Sequence, residues 1–161
     1  MIEVLEYKNE YEKIVRDLLI QLQEYLVETD DRKIKTMTEE YREKYLDHII
    51  KLVEDNEGKI ILASFNEEIV GMIVGFVKPL SIEDKLKTTC PKIGKISKLV
   101  VDRTSRGGGI GKILIKEMEE YLKETGCQYI SLDVSGYNTS AMNLYNEKGY
   151  SPRLLDLIKK V

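Results

Sequence analysis

Residues 106 to 111 read Arg106-Gly107-Gly108-Gly109-Ile110-Gly111, and this glycine-rich stretch is the most informative part of the sequence. It lies between a strand-like apolar run, Ile96 to Val101, and an amphipathic, helix-like run that begins at Lys112. Glycine carries no Cβ, so successive backbone N–H groups can converge on one point, where the helix dipole adds partial positive charge. The stretch therefore predicts a site for an anion such as phosphate, with a simple flexible turn as the alternative.

The glycine spacing excludes two common phosphate-binding motifs. A P-loop requires Gly-x-x-x-x-Gly-Lys followed by Ser or Thr, whereas Gly107 and Gly111 have one residue too few between them and Ile113 follows Lys112. A dinucleotide fingerprint requires Gly-x-Gly-x-x-Gly. Counted from Gly107 or Gly109, its third glycine falls on a lysine or a leucine. The predicted anion is therefore part of a ligand other than those that P-loops and dinucleotide fingerprints bind.

The bulk composition is that of a soluble globular protein. The 161 residues are 42% hydrophobic and 33% charged with a formal net charge of −3, which predicts a single domain over residues 1–161. There is no basic excess, no signal-peptide pattern and no apolar run of ~18–20 residues, so we expect no nucleic-acid partner and no membrane association. Cys90 and Cys127 match no zinc motif, which predicts a cytoplasmic protein with reduced thiols and no metal.

Hydrophobic periodicity predicts a mixed α/β fold. The predicted helices are Glu10–Glu28, Glu39–Asp55, Lys112 to about Glu124, and a short helix capped by Asn138 or Thr139 that ends at Gly149. The predicted strands are a short start at Ile2 and Val4, a hairpin of Lys59–Phe65 and Ile69–Val77, and then Lys95–Val101, Gln128–Val134 and Tyr150–Ile158. Strand, glycine turn, helix and strand form a βαβ unit, so the strands on either side of that helix should be parallel neighbours.

Two spaced motifs lie in and after this unit. The pattern Arg/Gln-x-x-Gly-x-Gly/Ala is met by Arg106, Gly109 and Gly111, after a strand that ends Leu99-Val100-Val101. The pattern Asn-x-x-Ala-x-x-Leu-Tyr-x-x-x-Gly-Phe/Tyr is met by Asn138, Ala141, Leu144, Tyr145, Gly149 and Tyr150. Over about Ile96 to Tyr150 the chain resembles the GNAT superfamily of acetyl-CoA-dependent N-acetyltransferases. The resemblance implies a central mixed sheet with an N-terminal antiparallel part, a splayed parallel strand pair and about four helices.

The resemblance also implies which residues bind acetyl-CoA. The amides of Arg106–Gly111 would hold the pyrophosphate, with Arg106 mainly shaping the loop. The pantetheine arm would lie beside the Leu99–Val101 strand, where a backbone N–H near Val101 would polarise the thioester carbonyl. Asn138 would face the cofactor as well as cap its helix. The full expected set is Leu99, Val100, Val101, Arg106, Gly107, Gly108, Gly109, Ile110, Gly111, Lys112 and Asn138.

Tyr145 is the expected catalytic residue. Its helical spacing with Ala141 and Leu144 would also suit a core aromatic. The resemblance implies instead a general acid for direct attack of an amine on the thioester, through a tetrahedral intermediate. A phenol of pKa near ~10 can protonate a leaving thiolate of pKa around ~8.5 if its position is fixed.

The sequence leaves the general base and the acceptor open. Many family members carry a glutamate on the strand before the glycine loop, but Lys95 to Leu99 contains no acid. Asp133, Ser97, a water chain and an acceptor that arrives neutral are the alternatives. His48, the single histidine, lies on a charged predicted helix, so a histidine-dependent hydrolase lacks support.

The family binds its acceptor with segments that correspond here to Glu28–Thr38 and Leu80–Lys92. Both are predicted loops that mix acids and bases, so a small-molecule amine and a protein amine stay open. A non-catalytic acyl-CoA-binding or sensing module of the same fold is the alternative function. A homodimer is a further expectation from the resemblance.

Overall fold

One five-stranded sheet organises the chain in this computed structural model, which describes residues 1–89 and 91–161. The strands lie across the sheet in chain order. They are β1 (Ile2–Glu6), β2 (Lys59–Phe65), β3 (Glu68–Val77), β4 (Ile93–Val101) and β5 (Tyr129–Leu132). The helices are α1 (Glu12–Glu28), α2 (Glu39–Asp55), α3 (Ile82–Lys87), α4 (Ile110–Glu124) and α5 (Thr139–Glu147). Within the described residues, no helix is long and apolar enough to cross a membrane.

Neighbouring strands pair antiparallel from β1 to β4, and β4 pairs parallel with β5. The predicted hairpin and βαβ unit are therefore confirmed, with α4 as the crossover helix. α2 spans the predicted residues, and α4 begins at Ile110, slightly before the predicted Lys112. Gly126 follows the end of α4 with a left-handed φ of 89°, as its predicted capping role requires.

Helices cover both faces of the sheet and divide the core into two clusters. One face packs against α1 and α2, and the other packs against α4, because each helix turns one apolar stripe inward. The first cluster includes Leu18, Leu19, Leu46, Ile49, Leu62 and Met72. The second includes Ile61, Ile73, Ile110, Leu114, Ile115, Met118 and Leu122. This arrangement confirms the mixed α/β class with an antiparallel N-terminal part.

Two predicted boundaries are wrong. The segment Leu80–Lys92, predicted to be a loop, contains α3, whose start is fixed by a capping box between Ser81 and Asp84. α3 is thus a fifth helix. β5 ends at Leu132 and does not reach Val134, because its last pairing with β4 is at Ile96.

The predicted last strand, Tyr150–Ile158, is also wrong. Residues 151–161 form no regular element and are exposed. The apolar run supplies strand-like side chains, but a strand also needs a neighbouring edge for its backbone groups, and this segment pairs with none of the described strands. Arg32 Nη1 donates to its Ile158 carbonyl at 3.1 Å. Cys127 is a free thiol, and the prediction for Cys90 lies outside the described residues.

A substitution at Gly58 tests how closely the chain after α2 approaches β3. A Cβ at this position would lie 2.7 Å from the Phe76 Cβ and 2.8 Å from the Gly75 carbonyl oxygen. We expect Gly58→Ala to lower the free energy of unfolding by about 1–3 kcal/mol, because the backbone must shift. Gly136→Ala, which points into open space, is the matched control. Equal urea midpoints for the two variants would contradict the packing at Gly58.

Candidate functional site

The site begins where β4 and β5 stop pairing. The parallel register runs from Ile93 opposite Tyr129 to Ile96 opposite Leu132, whereas β4 continues to Val101. The register between β3 and β4 shifts at the same place, since Val74 pairs with Lys98 but Gly75 pairs with Ile96. Ser97 is therefore the extra residue of a β-bulge. Beyond it β4 has no partner among the described strands on its β5 side, which is the splayed geometry that the family resemblance implied.

The hydrogen-bond register decides which backbone groups of β4 face this gap. The Asp102 N–H donates to the Val70 carbonyl at 2.8 Å. Bonded residues alternate along an antiparallel pair, so Val100 also directs its N–H and C=O toward β3. Leu99 and Val101 direct theirs to the opposite side, where β5 has ended. Their two N–H groups are thus placed to bind a ligand in the gap.

The side chains of the same residues belong to the core. Val100 is buried in the cluster under α1 and α2, and Leu99 and Val101 pack against the cluster under α4. Core side chains and gap-facing amides thus occur together in one strand. Val100 differs from Leu99 and Val101, because its N–H faces β3 and not the gap.

The glycine loop presents a continuous row of backbone donors. Among the described residues, no protein acceptor is found for the six N–H groups from Arg106 to Gly111. Gly107 and Gly109 adopt φ of 86° and 78°, a left-handed conformation that favours glycine. The first N–H to bond within α4 is that of Lys112, which donates to the Gly109 carbonyl at 3.0 Å. The row lies at the start of α4, where the helix dipole adds partial positive charge, and this is the geometry that an anion site would need.

Arg106 links this loop to the gap. Its Nε donates to the Val101 carbonyl at 3.1 Å, and its guanidinium lies 5.7 Å from the centre of the Tyr25 ring. Within the described part of the chain it forms no ion pair. The side chain therefore shapes the loop and occupies the carbonyl of Val101 while leaving the neighbouring N–H free.

A second brace, which the sequence did not reveal, joins the loop to α1. Gln21 Nε2 donates to Asp102 Oδ2 at 3.0 Å, and the Arg103 N–H donates to Gln21 Oε1 at 3.2 Å. Asp102 also accepts from the hydroxyl and N–H of Thr104. These hydrogen bonds, first from Thr104 and then from Gln21, lower the pKa of Asp102. The Asp-x-Thr sequence signals such a turn, but nothing local points to Gln21.

α5 is held beside the glycine loop by a few contacts. Asn138 Oδ1 accepts from the Ala141 N–H at 3.2 Å, so its predicted capping role is confirmed. Lys112 Nζ lies 2.6 Å from Glu147 Oε2, and this bond lowers the pKa of Glu147. Both the N–H and the ammonium of Lys112 therefore have protein partners. In this respect Lys112 differs from the residues of the loop, whose amides are free.

Tyr145 lies on α5 in an apolar setting. Its ring packs against the cluster under α4 and meets the Tyr150 ring edge-on, with centroids 5.9 Å apart. Burial raises the pKa of Tyr145, so its phenol stays protonated at neutral pH. The Tyr150 hydroxyl is buried, and burial together with the neighbouring Glu119 carboxylate raises its pKa.

The candidate bases differ in their surroundings. Asp133 is 90% exposed and its Oδ2 lies 2.5 Å from Lys95 Nζ, so it is held by an opposite charge. The Ser97 hydroxyl, at the bulge, is buried and has no hydrogen-bond partner in the described chain. His48 is exposed on α2, 6.0 Å from the Tyr45 ring. In residues 1–89 and 91–161, no group of three or more His, Cys, Asp or Glu side chains could hold a metal ion.

The segment between α1 and α2 is ordered by one carboxylate. Asp30 is buried, and it accepts hydrogen bonds from the N–H groups of Ile34 and Lys35, both at 2.7 Å, and of Arg32 at 3.2 Å. These bonds, the largest from Lys35, lower the pKa of Asp30. The segment expected to contact an acceptor is thus a structured turn.

Comparison with known proteins identifies a family with this fold. The model of the acetyltransferase (GNAT) family matches residues 20–150. Glucosamine 6-phosphate N-acetyltransferase of Arabidopsis thaliana is 28% identical over 129 residues, which are 80% of this chain and 76% of that protein. Most curated relatives are longer: the aligned share of their length ranges from 22% to 76%.

Solved structures share the whole fold. A tetramutant of the BH1408 protein from Bacillus halodurans superimposes with a TM-score of 0.83 at 23% identity, over 99% of both chains. AAC(6′)-Iy, in complex with the bisubstrate analogue CoA-S-monomethyl-acetylneamine, superimposes with a TM-score of 0.73 at 14% identity, over 100% of this chain and 99% of that one. With the family model spanning most of its residues, the chain belongs to the acetyltransferase (GNAT) family.

Proposed function

We propose that residues 1–161 act as a single N-acetyltransferase domain that moves an acetyl group from acetyl-CoA to a primary amine. The observation that carries this proposal is the row of free amides from Arg106 to Gly111, next to the gap between β4 and β5. A diphosphate offers several acceptor oxygens at once, and such a row can satisfy them together. The family uses acetyl-CoA, and its relative AAC(6′)-Iy was solved with a CoA-containing analogue.

Each expected cofactor residue then has a distinct part. The amides of Arg106, Gly107, Gly108, Gly109, Ile110 and Gly111 would hold the pyrophosphate. Leu99 and Val101 would bind the pantetheine arm and the thioester carbonyl through their gap-facing N–H groups, and Val100 would support them from β4. Asn138 would use its remaining Nδ2 group. Lys112 would contribute less, because its ammonium is engaged by Glu147.

Tyr145 is the proposed general acid. Acetyl-CoA would supply an activated thioester. The N–H of Leu99 or Val101 would stabilise negative charge on its carbonyl oxygen as the amine attacks. The protonated Tyr145 phenol would then donate to the sulfur. Burial raises the pKa of the phenol, and the same apolar setting also raises the proton affinity of a leaving thiolate, so the two shifts oppose each other.

The proton of the attacking amine limits the choice of acceptor. Residues 95–101 carry no acid and Asp133 is held by Lys95, so we propose that the amine binds neutral or loses its proton through water near Ser97. An α-amino group, with a pKa of about 7.7–8.0, is neutral at pH 7 far more often than a lysine side chain with a pKa of about 10.4. An amine of low pKa, on a small molecule or a protein N-terminus, is the favoured acceptor.

An amine panel tests the function. Thiol release from acetyl-CoA is measured with glucosamine 6-phosphate, an aminoglycoside, a peptide with a free N-terminus, and an N-blocked peptide with one lysine. We expect acceptor-dependent release, and less of it with the lysine peptide than with the free N-terminus. Tight binding of acetyl-CoA without any turnover would favour the sensing module, and no binding would contradict both functions.

Arg106→Ala tests the loop. The variant loses one hydrogen bond to the Val101 carbonyl and the contact with Tyr25, so we expect acetyl-CoA to bind about fivefold to tenfold more weakly. Titration calorimetry measures the Kd. Arg103→Ala is the matched control, because that arginine lies on the same loop but pairs with the distant Glu28. Equal Kd values for the two variants would remove the proposed role of Arg106.

Tyr145→Phe tests the chemistry. We expect kcat to fall by about 10²–10⁴-fold, because the proton donor is lost, while the Kd for acetyl-CoA stays nearly unchanged. Tyr137→Phe, on the exposed turn before α5, is the control and should keep full turnover. Unchanged turnover in a folded Tyr145→Phe protein would show that Tyr145 is only a core aromatic.

A further inference from the structure

One lysine of the sheet has no counter-charge. The strands carry three lysines, Lys59, Lys95 and Lys98, and all three are half-buried. Lys59 and Lys95 each have a carboxylate partner, at 3.2 Å and 2.5 Å from the ammonium nitrogen. Lys98 forms no ion pair with any described residue, and its Nζ lies instead 5.5 Å from the centre of the Tyr45 ring. Because burial disfavours an ammonium without a counter-charge, an anion from outside the chain would be stabilised here.

The ammonium of Lys98 lies beside the start of the gap between β4 and β5. Side chains alternate along a strand, so Lys98 shares its face with Val100, which is buried in the cluster under α1 and α2. The contact with Tyr45 of α2 agrees with this face. In the chain, Lys98 follows the bulge at Ser97 and directly precedes Leu99, whose N–H faces the gap. Its charge thus lies next to the position that the proposed function gives to the thioester.

The ring beside Lys98 is part of a fixed aromatic pair. Tyr45 stacks on Tyr41 with ring centres 4.1 Å apart, and the Tyr41 hydroxyl donates to the Leu19 carbonyl of α1 at 3.3 Å. Both rings border an open groove of about 260 Å³ that begins at Thr38, the cap of α2. Thr38 also ends the segment that is expected to contact an acceptor. The groove therefore leads from that segment to the ring on which the ammonium of Lys98 lies.

We propose that Lys98 selects an acceptor that carries an anionic group, a carboxylate or a phosphate, in addition to its primary amine. This inference rests on the proposed acetyltransferase function. The ammonium would bind the anionic group while the amine faces the thioester carbonyl. The same charge repels acceptors that carry several ammonium groups, so the specificity has an attractive and a repulsive part. A positive charge also lowers the pKa of an amine bound nearby, as an acceptor that binds neutral requires.

Binding to the protein saturated with CoA tests this pairing without turnover. The probe is the tripeptide glycyl-glycyl-serine in three forms: the C-terminal amide, the free C-terminal acid, and the amide with a phosphorylated serine. All three keep the α-amino group, and the two anionic forms distinguish carboxylate from phosphate. Titration calorimetry is expected to give a Kd at least about tenfold lower for one or both anionic forms than for the neutral amide. Equal Kd values, or no binding of either anionic form, would overturn the proposal.

Variants of Lys98 assign the preference to its charge. Lys98→Met keeps the apolar stem without the charge, so the preference for an anionic form should disappear, whereas Lys98→Arg should retain it. Lys123→Met removes an exposed lysine from the last turn of α4 and is the control for net charge, which should also retain the preference. The Kd for CoA should be the same in all variants, which also shows that they are folded.

Two results with these variants contradict the role of Lys98. A preference that survives in Lys98→Met means that another group binds the anion. A loss of CoA affinity in Lys98→Met that Lys98→Arg restores means that Lys98 binds the cofactor and not the acceptor.

Thiol release from acetyl-CoA separates this inference from the proposed function. If an anionic form binds through Lys98 but no form gives acceptor-dependent release, acetyl transfer is contradicted and the selection by Lys98 is supported. If all three forms are acetylated with equal kcat/KM, acetyl transfer is supported and the selection by Lys98 is overturned.

Discussion

The end of pairing between β4 and β5 at Ile96 and Leu132 is the constraint on which the site depends. One extra residue, Ser97, shifts the register with β3 at the same level. Because of that shift, Leu99 and Val101 turn their N–H groups to the gap while their side chains stay in the core. The strand thus turns amides toward the gap while its side chains stay packed in the two hydrophobic clusters. The glycine loop starts from the same strand, so gap and loop have a fixed relative position.

α5 is positioned by a few apolar contacts with the cluster under α4. It has no fully buried residue, and the Lys112–Glu147 ion pair is more than half exposed on both sides, so screening by solvent leaves it a small contribution. The apolar contacts of Leu144, Tyr145 and Tyr150 with the cluster under α4 therefore position the helix. A Cβ at Gly111 would lie 3.6 Å from Leu144 Cδ2, an ordinary contact distance, so α5 lies directly beside the first turn of α4. The glycine loop and Tyr145 are in this way connected through the first turn of α4.

Local patterns predicted the parts of the fold that local forces determine. The amphipathic periods of α1, α2 and α4, the β2–β3 hairpin and the Asn138 cap all follow from residues close in sequence. The bulge at Ser97 and the bond from Gln21 to Asp102 do not, because they depend on strand register and on a contact across 81 residues. The predicted strand at Tyr150–Ile158 is wrong for a related reason. Its composition indicates a strand, but composition does not tell which sheet edge the strand would join.

The free edge of β5 also bears on the rigidity of the site. β4 is bonded to β3 along its length, so one wall of the gap is firmly held. The other wall, β5, has four residues and a single neighbour, and local opening is easiest where few hydrogen bonds and few buried contacts hold an element. Local opening of β5 would therefore widen the gap, whereas the row of loop amides, which continues from β4, would keep its position.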